Sequence, residues 1–393
     1  MTNGLPGYAT GPRAAAAAAR QQFYEPLGVR LGGFLLYPTA SEAVGYDTNP
    51  EGQPNPAGSL AEATDASLLA TSNWNRNAVA VFGGIDDHRY PQQSEQSTTD
   101  WTVAGGARYD LGRDQLVATY LHLNSHLTPR DLNIPQITEP EPYTADDFRL
   151  GYRAELARLT LTPVADFTEW RYANLIQNGL PLVLTYQSRN VATASLMLGY
   201  QLSDLHRLLV VARGVDTHFV QPLAGQPGFD SRGPDFLAGL DYDTGGVWHY
   251  RALMGYQARF YVSPAFSPFG GVTANAQLSW APTGLTTLTA SFLRAIEEDA
   301  ATTTTVGYTL THGGLVIDHE YSRNLLLEAH AVADQAAYQQ GGGEATILGA
   351  GFAATWLLNR KMQATMSYDY NRRLSGGTSF IENVFLVHLR FAL

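Results

Sequence analysis

The chain has 393 residues, a formal net charge of −11 at pH 7, and only 16% charged residues, whereas soluble domains carry about 25%. The negative charge argues against nucleic acid as a partner, because phosphate binding needs a basic face. The absence of cysteine excludes disulfides, a thiol nucleophile and a cysteine-ligated metal. No stretch approaches the roughly 20 consecutive apolar residues of a membrane helix.

The first predicted unit is residues 1–27, which we expect to be a flexible N-terminal arm; it would be periplasmic if the strands that follow it form an outer-membrane barrel. It contains the run Ala14–Ala19, which favours helix only weakly. The arm is too short for a plug or passenger domain, so we expect residues 28–393 to form one domain.

From Gly28 onward, segments of about ten to fifteen residues alternate between apolar and polar side chains. This is the period of two expected of β-strands, whose successive side chains point to opposite faces. Segments 148–155, 272–280, 325–334 and 362–371 each have one small, aliphatic or aromatic face. Their other face carries Gln, Asn, Thr or charged residues, so each strand would lie between an apolar and an aqueous environment.

The connections between these segments alternate in length. Short turns such as 110–114 and 321–324 alternate with longer loops such as 48–62, 128–144 and 221–234. Short periplasmic turns and long outer loops are typical of bacterial outer-membrane barrels. Counting hairpins predicts an all-β fold, a transmembrane antiparallel up-and-down β-barrel of about 18 strands, with 16 as the alternative. A large soluble β-sandwich is the competing interpretation.

Two segments fit the alternation poorly. Arg294 falls on the apolar parity, and we expect it near the outer rim. The segment 308–320 changes parity around Gly313–Gly314, which predicts a β-bulge, because one extra residue reverses the faces.

Aromatic residues on the apolar parity fall near strand ends, where we expect them to form girdles at the membrane interfaces. The predicted interface aromatics are Trp101, Trp280, Trp356, Tyr368 and Tyr370.

The chain ends in an alternating strand with His388 and Arg390 on one face. Outer-membrane proteins commonly end in such a strand, so we predict that its apolar face contacts lipid and serves as the signal for the barrel-assembly machinery. The apolar face consists of Phe385, Val387, Leu389, Phe391 and Leu393.

Several segments resemble the putative β-barrel porin 2-type outer-membrane family. They are 28–49 ("GVRLGGFLLYPTASEAVGYDTN"), 280–294, 318–329, 353–373 and 380–391. The resemblance covers nearly all of residues 28–393 and rests on strands and turns, not on chemistry. It implies an outer-membrane location and, because such genes often lie near exopolysaccharide loci, suggests a role in polysaccharide passage.

A barrel of 16–18 strands leaves an aqueous channel. Inward arginines are predicted on the early and middle strands and inward acids on the late strands, so the two groups could face each other across the pore and select ions by charge. An arginine-dominated constriction would prefer anions. The alternative is that these charges pair with strand neighbours such as Asp241 and Asp243. The pore-lining candidates are Arg108, Arg149, Arg153, Arg213, Arg251, Arg259, Glu328, His330, Asp334, Asp369 and Glu382.

Three aromatics, Tyr120, Trp170 and Tyr261, are predicted to face inward. They could stack on sugar rings, or they could pack beneath an inward-folded loop. The loop 127–143 is the candidate to fold inward. An inward-folded loop would indicate a porin, whereas an exporter would have an empty lumen.

No motif points to catalysis. The histidines His122 and His126 are predicted to face inward on one strand, about 13 Å apart, too far to share a metal. No G-x-S-x-G or H-E-x-x-H pattern is present. We therefore expect no enzyme, no metal and no cofactor.

The sequence predicts a channel in the outer membrane of a Gram-negative bacterium. It would pass hydrophilic solutes or exopolysaccharide by passive diffusion, selecting by size and charge. The alternative is a non-conducting scaffold or adhesin acting through its outer loops. Expected partners are outer-membrane lipid and lipopolysaccharide, the assembly machinery, and polysaccharide or small hydrophilic solutes.

Overall fold

The computed structural model describes residues 26–132, 139–177, 180–243, 246–298, 305–339, 342–375 and 379–393. Most of the predicted arm, including its alanine run, lies outside these residues, as does the middle of the loop 127–143. No helix among the described residues is long and apolar enough to cross a membrane.

The described residues fold into eighteen long strands and three short ones. In chain order they are β1 (Val29–Leu31), β2 (Phe34–Asp47), β3 (Ser59–Ser72), β4 (Ala78–Arg89), β5 (Thr98–Leu111), β6 (Asp114–Leu127), β7 (Glu141–Leu156), β8 (Leu159–Tyr172), β9 (Leu175–Gln177), β10 (Leu180–Leu182), β11 (Arg189–Gln201), β12 (His206–Phe219), β13 (Ser231–Asp243), β14 (Trp248–Tyr261), β15 (Phe269–Thr283), β16 (Thr286–Glu298), β17 (Gly307–Ser322), β18 (Leu325–Tyr338), β19 (Glu344–Leu357), β20 (Met362–Ser375) and β21 (Phe380–Ala392).

The long strands close into an antiparallel barrel. Each pairs with its neighbours in the chain, β8 pairs with β11, and β21 returns to β2. The β9–β10 hairpin forms a separate two-stranded sheet within the loop between β8 and β11. The predicted count of eighteen strands is confirmed.

Short turns gather at one end of the barrel, which we call the inner end. The turn between β5 and β6 has only two residues, and Gly112 adopts a φ of 89° there, a conformation that favours glycine. The opposite, outer end carries the long loops. Short turns face the periplasm in bacterial outer-membrane barrels, so we expect the inner end to face it here.

The strand register separates an outward from an inward face. Large apolar side chains are exposed on one parity, including Phe236 (58%), Met254 (64%) and Met366 (65%). The paired residues Val44 and Val387 show that β2 and the last strand keep the same parity across the closure. A continuous exposed apolar surface of this kind requires lipid around it.

The predicted bulge at Gly313–Gly314 is wrong. Pairing of β17 with both neighbours runs unbroken through these glycines, and the irregularity lies between Glu320 and Ser322. The apolar and polar faces of the sequence exchange at these glycines without a shift in strand register. The reason is that polar residues, Thr309 and Thr311, lie on the outward face in the outer half of β17.

Arg294 lies on the outward face towards the outer end, as predicted, and donates to Thr311 Oγ1 at 2.7 Å. The outward aromatics fall at different heights. Trp280 stacks on Trp248 near the inner end, with ring centroids 5.1 Å apart. Trp356 lies near the inner end and Trp101 nearer the outer end, whereas Tyr368 and Tyr370 lie close to the middle of β20.

Candidate channel lumen

A loop crosses the outer mouth of the barrel. It leaves β6 and extends to β2 and β21, four and five strands away around the barrel, where Arg130 inserts between two carboxylates. Arg130 Nη2 lies 2.8 Å from Asp47 Oδ2, and Arg130 Nε donates to Glu382 Oε2 at 2.7 Å. Asp47 and Glu382 are 0% and 1% exposed, so the carboxylates are shielded from water, whereas the Arg130 side chain is 39% exposed.

Further contacts hold the same loop to β20 and β18, which are six and eight strands from β6 around the barrel. Arg373 donates to the carbonyl oxygens of Pro129 (2.8 Å) and Asp131 (2.6 Å). The hydroxyl of Tyr338 donates to the carbonyl of Leu132 at 2.8 Å. We call residues 128–132 and the side chains that bind them, Asp47, Tyr338, Arg373 and Glu382, the latch.

Arg130 keeps its charge within the latch. Burial alone would lower the pKa of its guanidinium, but the hydrogen bonds and ion pair with Glu382 more than offset this, and the pKa lies above its usual value. Asn371 Nδ2 also donates to Glu382 Oε2 at 3.0 Å. The latch is therefore a charged, hydrogen-bonded bridge across the mouth.

Other loops fold together over the remaining part of the mouth. A buried cluster joins residues from four connections and the outer end of β12. Ring centroids of Phe229 lie 5.5 Å from Phe219 and 5.4 Å from Phe266. The members of this cluster are Tyr186, Phe219, Phe229, Phe266 and Val306. The outer opening is thus narrowed by folded loops as well as by the latch.

All eleven predicted pore-lining residues lie on the inward parity. The six arginines each have a carboxylate within 4 Å, in the same strand or a nearby one. Arg149 contacts Asp166, Arg251 Nε lies 3.2 Å from Asp241, and Arg213 Nη1 lies 3.6 Å from Asp235. The others are Arg108–Asp110 (3.3 Å), Arg153–Glu155 (2.8 Å) and Arg259–Glu298 (3.8 Å).

The wall formed by β17–β21 and β2–β4 is acidic. Among its described inward residues, nine carboxylates accompany only two arginines, Arg373 and Arg390. Asp318 and Glu328 are direct cross-strand neighbours on this wall. The carboxylates are Asp47, Asp65, Asp86, Asp318, Glu320, Glu328, Asp334, Asp369 and Glu382.

Histidines accompany several of these acids. His312 Nδ1 lies 2.6 Å from Asp334, and His330 Nε2 lies 3.1 Å from Asp369. The second pair spans β19, because Gly351 separates the two side chains. A Cβ at Gly351 would lie 2.5 Å from His330 Cε1.

The two walls face each other. β7, which carries Arg149 and Arg153, and β18, which carries Glu328 and His330, are nine strands apart in a closed barrel of eighteen. The predicted opposition of arginines and late-strand acids is therefore present in the geometry, although the arginines are paired with carboxylates.

Two inward predictions on β6 are wrong. Tyr120 and His122 lie on the outward parity, where both bind Asp146 at 2.6 and 2.8 Å. The inward face of β6 is instead locally apolar. The polarity of a side chain therefore does not indicate whether it faces the lumen on this strand. Leu121 packs with Ala80 and Ala104, and with Leu69, Phe82 and Leu123.

His126, also predicted inward, has the outward parity of β6 but lies beyond the last β5–β6 pair. Its Nδ1 contacts Asp100 at 2.6 Å. His122 and His126 thus bind different carboxylates. Among the described residues, no group of three or more His, Cys, Asp or Glu is placed to hold a metal ion.

The other two predicted inward aromatics do face inward, but both take part in packing. Arg189 lies over the Trp170 ring at 5.6 Å, and the Tyr261 hydroxyl donates to Val306 O at 3.0 Å. Neither is arranged as an open stacking platform.

The sequence did not single out Asp47, Arg130, Tyr338 or Arg373. Their partners lie up to 252 residues away in the chain. The only sequence signal for the latch is the length of the loop between β6 and β7, which was the loop selected to fold inward.

Comparisons agree with this architecture. A family model described as putative beta-barrel porin 2 matches residues 21–393. The structure of OccK2 (OpdF) from Pseudomonas aeruginosa in complex with glucuronate aligns over 92% of this chain and 99% of its own, with a TM-score of 0.51 and 13% identity. A BenF-like porin from Pseudomonas fluorescens Pf-5 aligns over 92% and 100%, with a TM-score of 0.51 and 11% identity. No curated protein matches the sequence.

Proposed function

The chain belongs to the putative beta-barrel porin 2 family, and on that premise we propose that it passes small hydrophilic solutes passively, selects them by size at the latch, and prefers cations. Family and fold support an outer-membrane channel for solutes, without an enzymatic step. Two features of the lumen, the latch and the acidic wall, support the size selection and the charge preference respectively.

The latch is the observation that carries the size selection. A chain segment that is bound by buried carboxylates on β2 and β21 and by Tyr338 on β18, eight strands from β6, divides the opening. Such a mouth favours compact solutes over a long polymer. Exopolysaccharide passage, which the family resemblance suggested, would require this loop to undock.

The acidic wall supports the charge preference. The inward arginines are locally matched by carboxylates. The wall of β17–β21 and β2–β4, apart from the latch residues Asp47, Glu382 and Arg373, has seven described carboxylates and one arginine, Arg390. Rings or walls of carboxylates attract cations into pores. We therefore propose cation preference in place of the anion preference that an unpaired arginine wall would give.

The test combines liposome swelling with zero-current potentials across a salt gradient. Monosaccharides should enter faster than oligosaccharides of several sugar units, and the potential should have the sign of cation selectivity. A potential of the opposite sign would overturn the charge preference. Equal swelling rates for short and long saccharides would overturn the size selection and favour a polymer conduit.

A non-conducting scaffold is distinguished in the same experiment. Protein whose folded state is shown by heat-modifiable migration on a gel, but which gives no swelling and no current, would favour a scaffold or adhesin.

A further inference from the structure

Five arginines on the outward face form a ring around the barrel. They occupy β4, β8, β13, β16 and β20, so successive members are three or four strands apart all the way round. We call this set the arginine ring. Its members are Arg89, Arg171, Arg232, Arg294 and Arg372.

The ring is confined to the outer half of the barrel wall. Each member lies in the half of its strand nearer the outer end. In the inner halves of the described barrel strands, the outward parity carries no lysine or arginine. It carries apolar residues there, such as Val81, Leu150 and Leu389. The arginines therefore begin where the apolar band gives way.

Neighbouring side chains orient the guanidinium groups without burying them. Arg89 Nε and Arg232 Nε each donate to an aspartate oxygen at 2.7 Å, on Asp87 and Asp216 respectively. The side chains of Arg89 and Arg232 remain 51% and 74% exposed. A guanidinium has five N–H donors, so these contacts leave donors for a further acceptor.

Arg171 and Arg294 have comparable contacts. Arg171 Nη2 lies 3.0 Å from Glu169, and Arg294 Nη1 donates to Thr311 Oγ1 at 2.7 Å. These contacts with Asp87, Glu169, Asp216 and Thr311 hold four of the arginine side chains against the strands. On that face they are directed to the surrounding lipid and not to the lumen.

We propose that the arginine ring binds the phosphate groups of lipid headgroups in the outer leaflet, as found on the lipid A portion of lipopolysaccharide. Guanidinium groups bind phosphate oxygens in a forked, two-bond geometry. Because the five arginines are regularly spaced, a lipid phosphate could bind at each of five positions around the barrel. The inference rests on the outer-membrane location but not on conduction, so the two can fail separately.

The test is native mass spectrometry of the full-length folded barrel in detergent with EDTA, using purified bisphosphorylated lipid A and its dephosphorylated form as probes. EDTA removes divalent cations that could bridge carboxylates to phosphate. Wild-type protein should bind the phosphorylated probe at least tenfold more tightly. Inorganic phosphate at millimolar concentration should not displace it if the lipid is the ligand, and displacement would indicate a site for free phosphate.

The variant R89Q/R171Q/R232Q/R294Q/R372Q should bind lipid A at least tenfold more weakly and retain wild-type conductance. The matched control replaces five arginines of the inner turns and should bind normally. Those residues are Arg76, Arg113, Arg158, Arg323 and Arg360.

Equal binding of both probes, or equal binding by the ring variant, would overturn the proposal. An equal loss in the control would also overturn it, because it would show that any arginine near lipid suffices. If the fivefold variant does not fold, R89Q/R232Q replaces two members whose side chains are more than half exposed. That pair should weaken binding at least twofold, and no change would again refute the role of the ring.

Discussion

Replacing Arg130 with alanine should undock the loop that crosses the mouth. The substitution leaves Asp47 and Glu382, which are 0% and 1% exposed, without their cationic partner. Removing one member of a fully buried ion pair costs about 3–5 kcal/mol, because the remaining charge is buried and uncompensated. The Arg130 side chain is itself 39% exposed, so we take no more than the lower end of this range, about 3 kcal/mol. The strands still pair around the barrel in the variant. We therefore expect the substitution to weaken docking of the loop and to leave the stability of the barrel unchanged.

The size of the effect can be estimated from that cost. Every 1.4 kcal/mol changes an equilibrium by about tenfold, so a loss of about 3 kcal/mol shifts docking by roughly 100-fold. Arg373 and Tyr338 still bind the loop backbone in the variant. We therefore expect frequent opening and closing rather than permanent release.

Single-channel recordings provide the assay. Arg130→Ala should show larger steps with flicker and should admit larger neutral polymers than wild type. The control is Arg153→Ala, because Arg153 pairs with Glu155 where both side chains are over 40% exposed, and such pairs contribute about 1 kcal/mol or less. Unchanged step size, noise and polymer exclusion in Arg130→Ala would refute the role of the latch.

Three further changes test the walls and the faces. Asp318→Asn with Glu328→Gln should reduce cation selectivity, measured as a smaller zero-current potential in a salt gradient, because it removes two adjacent lumen carboxylates. Gly351→Ala should push the His330 ring from its contact across β19 and lower the urea-unfolding free energy by about 1 kcal/mol. Val387→Arg places a charge on the lipid face and should destabilise the barrel by about 2–4 kcal/mol, measured by urea unfolding in lipid vesicles.

Each of these has a clear contrary result. An unchanged or larger potential would show that the acidic wall does not set selectivity. Gly271→Ala is the control for the glycine substitution, since nothing lies within 4 Å of a Cβ there, and equal effects would refute steric contact at Gly351. For the lipid face, the inward neighbour His388→Arg should be tolerated. Equal destabilisation by both arginines would contradict the assigned parity.

The barrel was predictable because its signal repeats along the whole chain. Most strands show the same two-residue period of polarity, so the strand count and the parity of Arg149, Glu328 and Asp369 follow from local sequence. The alternation of short and long connections supplied the orientation of the two ends.

The errors occur where the lumen or the outer face departs from that polarity. On β6 the inward face is apolar, with Leu121 packed in a cluster, while Tyr120 and His122 bind a carboxylate outside. In the outer half of β17, Thr311 faces outward without any shift of register. Polarity alone then points to the wrong face.

The latch could not be derived from the sequence. Arg130 and Glu382 are 252 residues apart, and no local pattern links them. Their contact depends on the closure of the barrel between β21 and β2, which places β21 only five strands from β6.

The most direct test of the central claim is the single-channel conductance of folded wild-type protein in a planar bilayer, with neutral polymers of graded size. We predict stable ohmic steps that small polymers reduce and large polymers leave unchanged. A silent bilayer, with protein shown to be folded by heat-modifiable migration, would contradict an open channel.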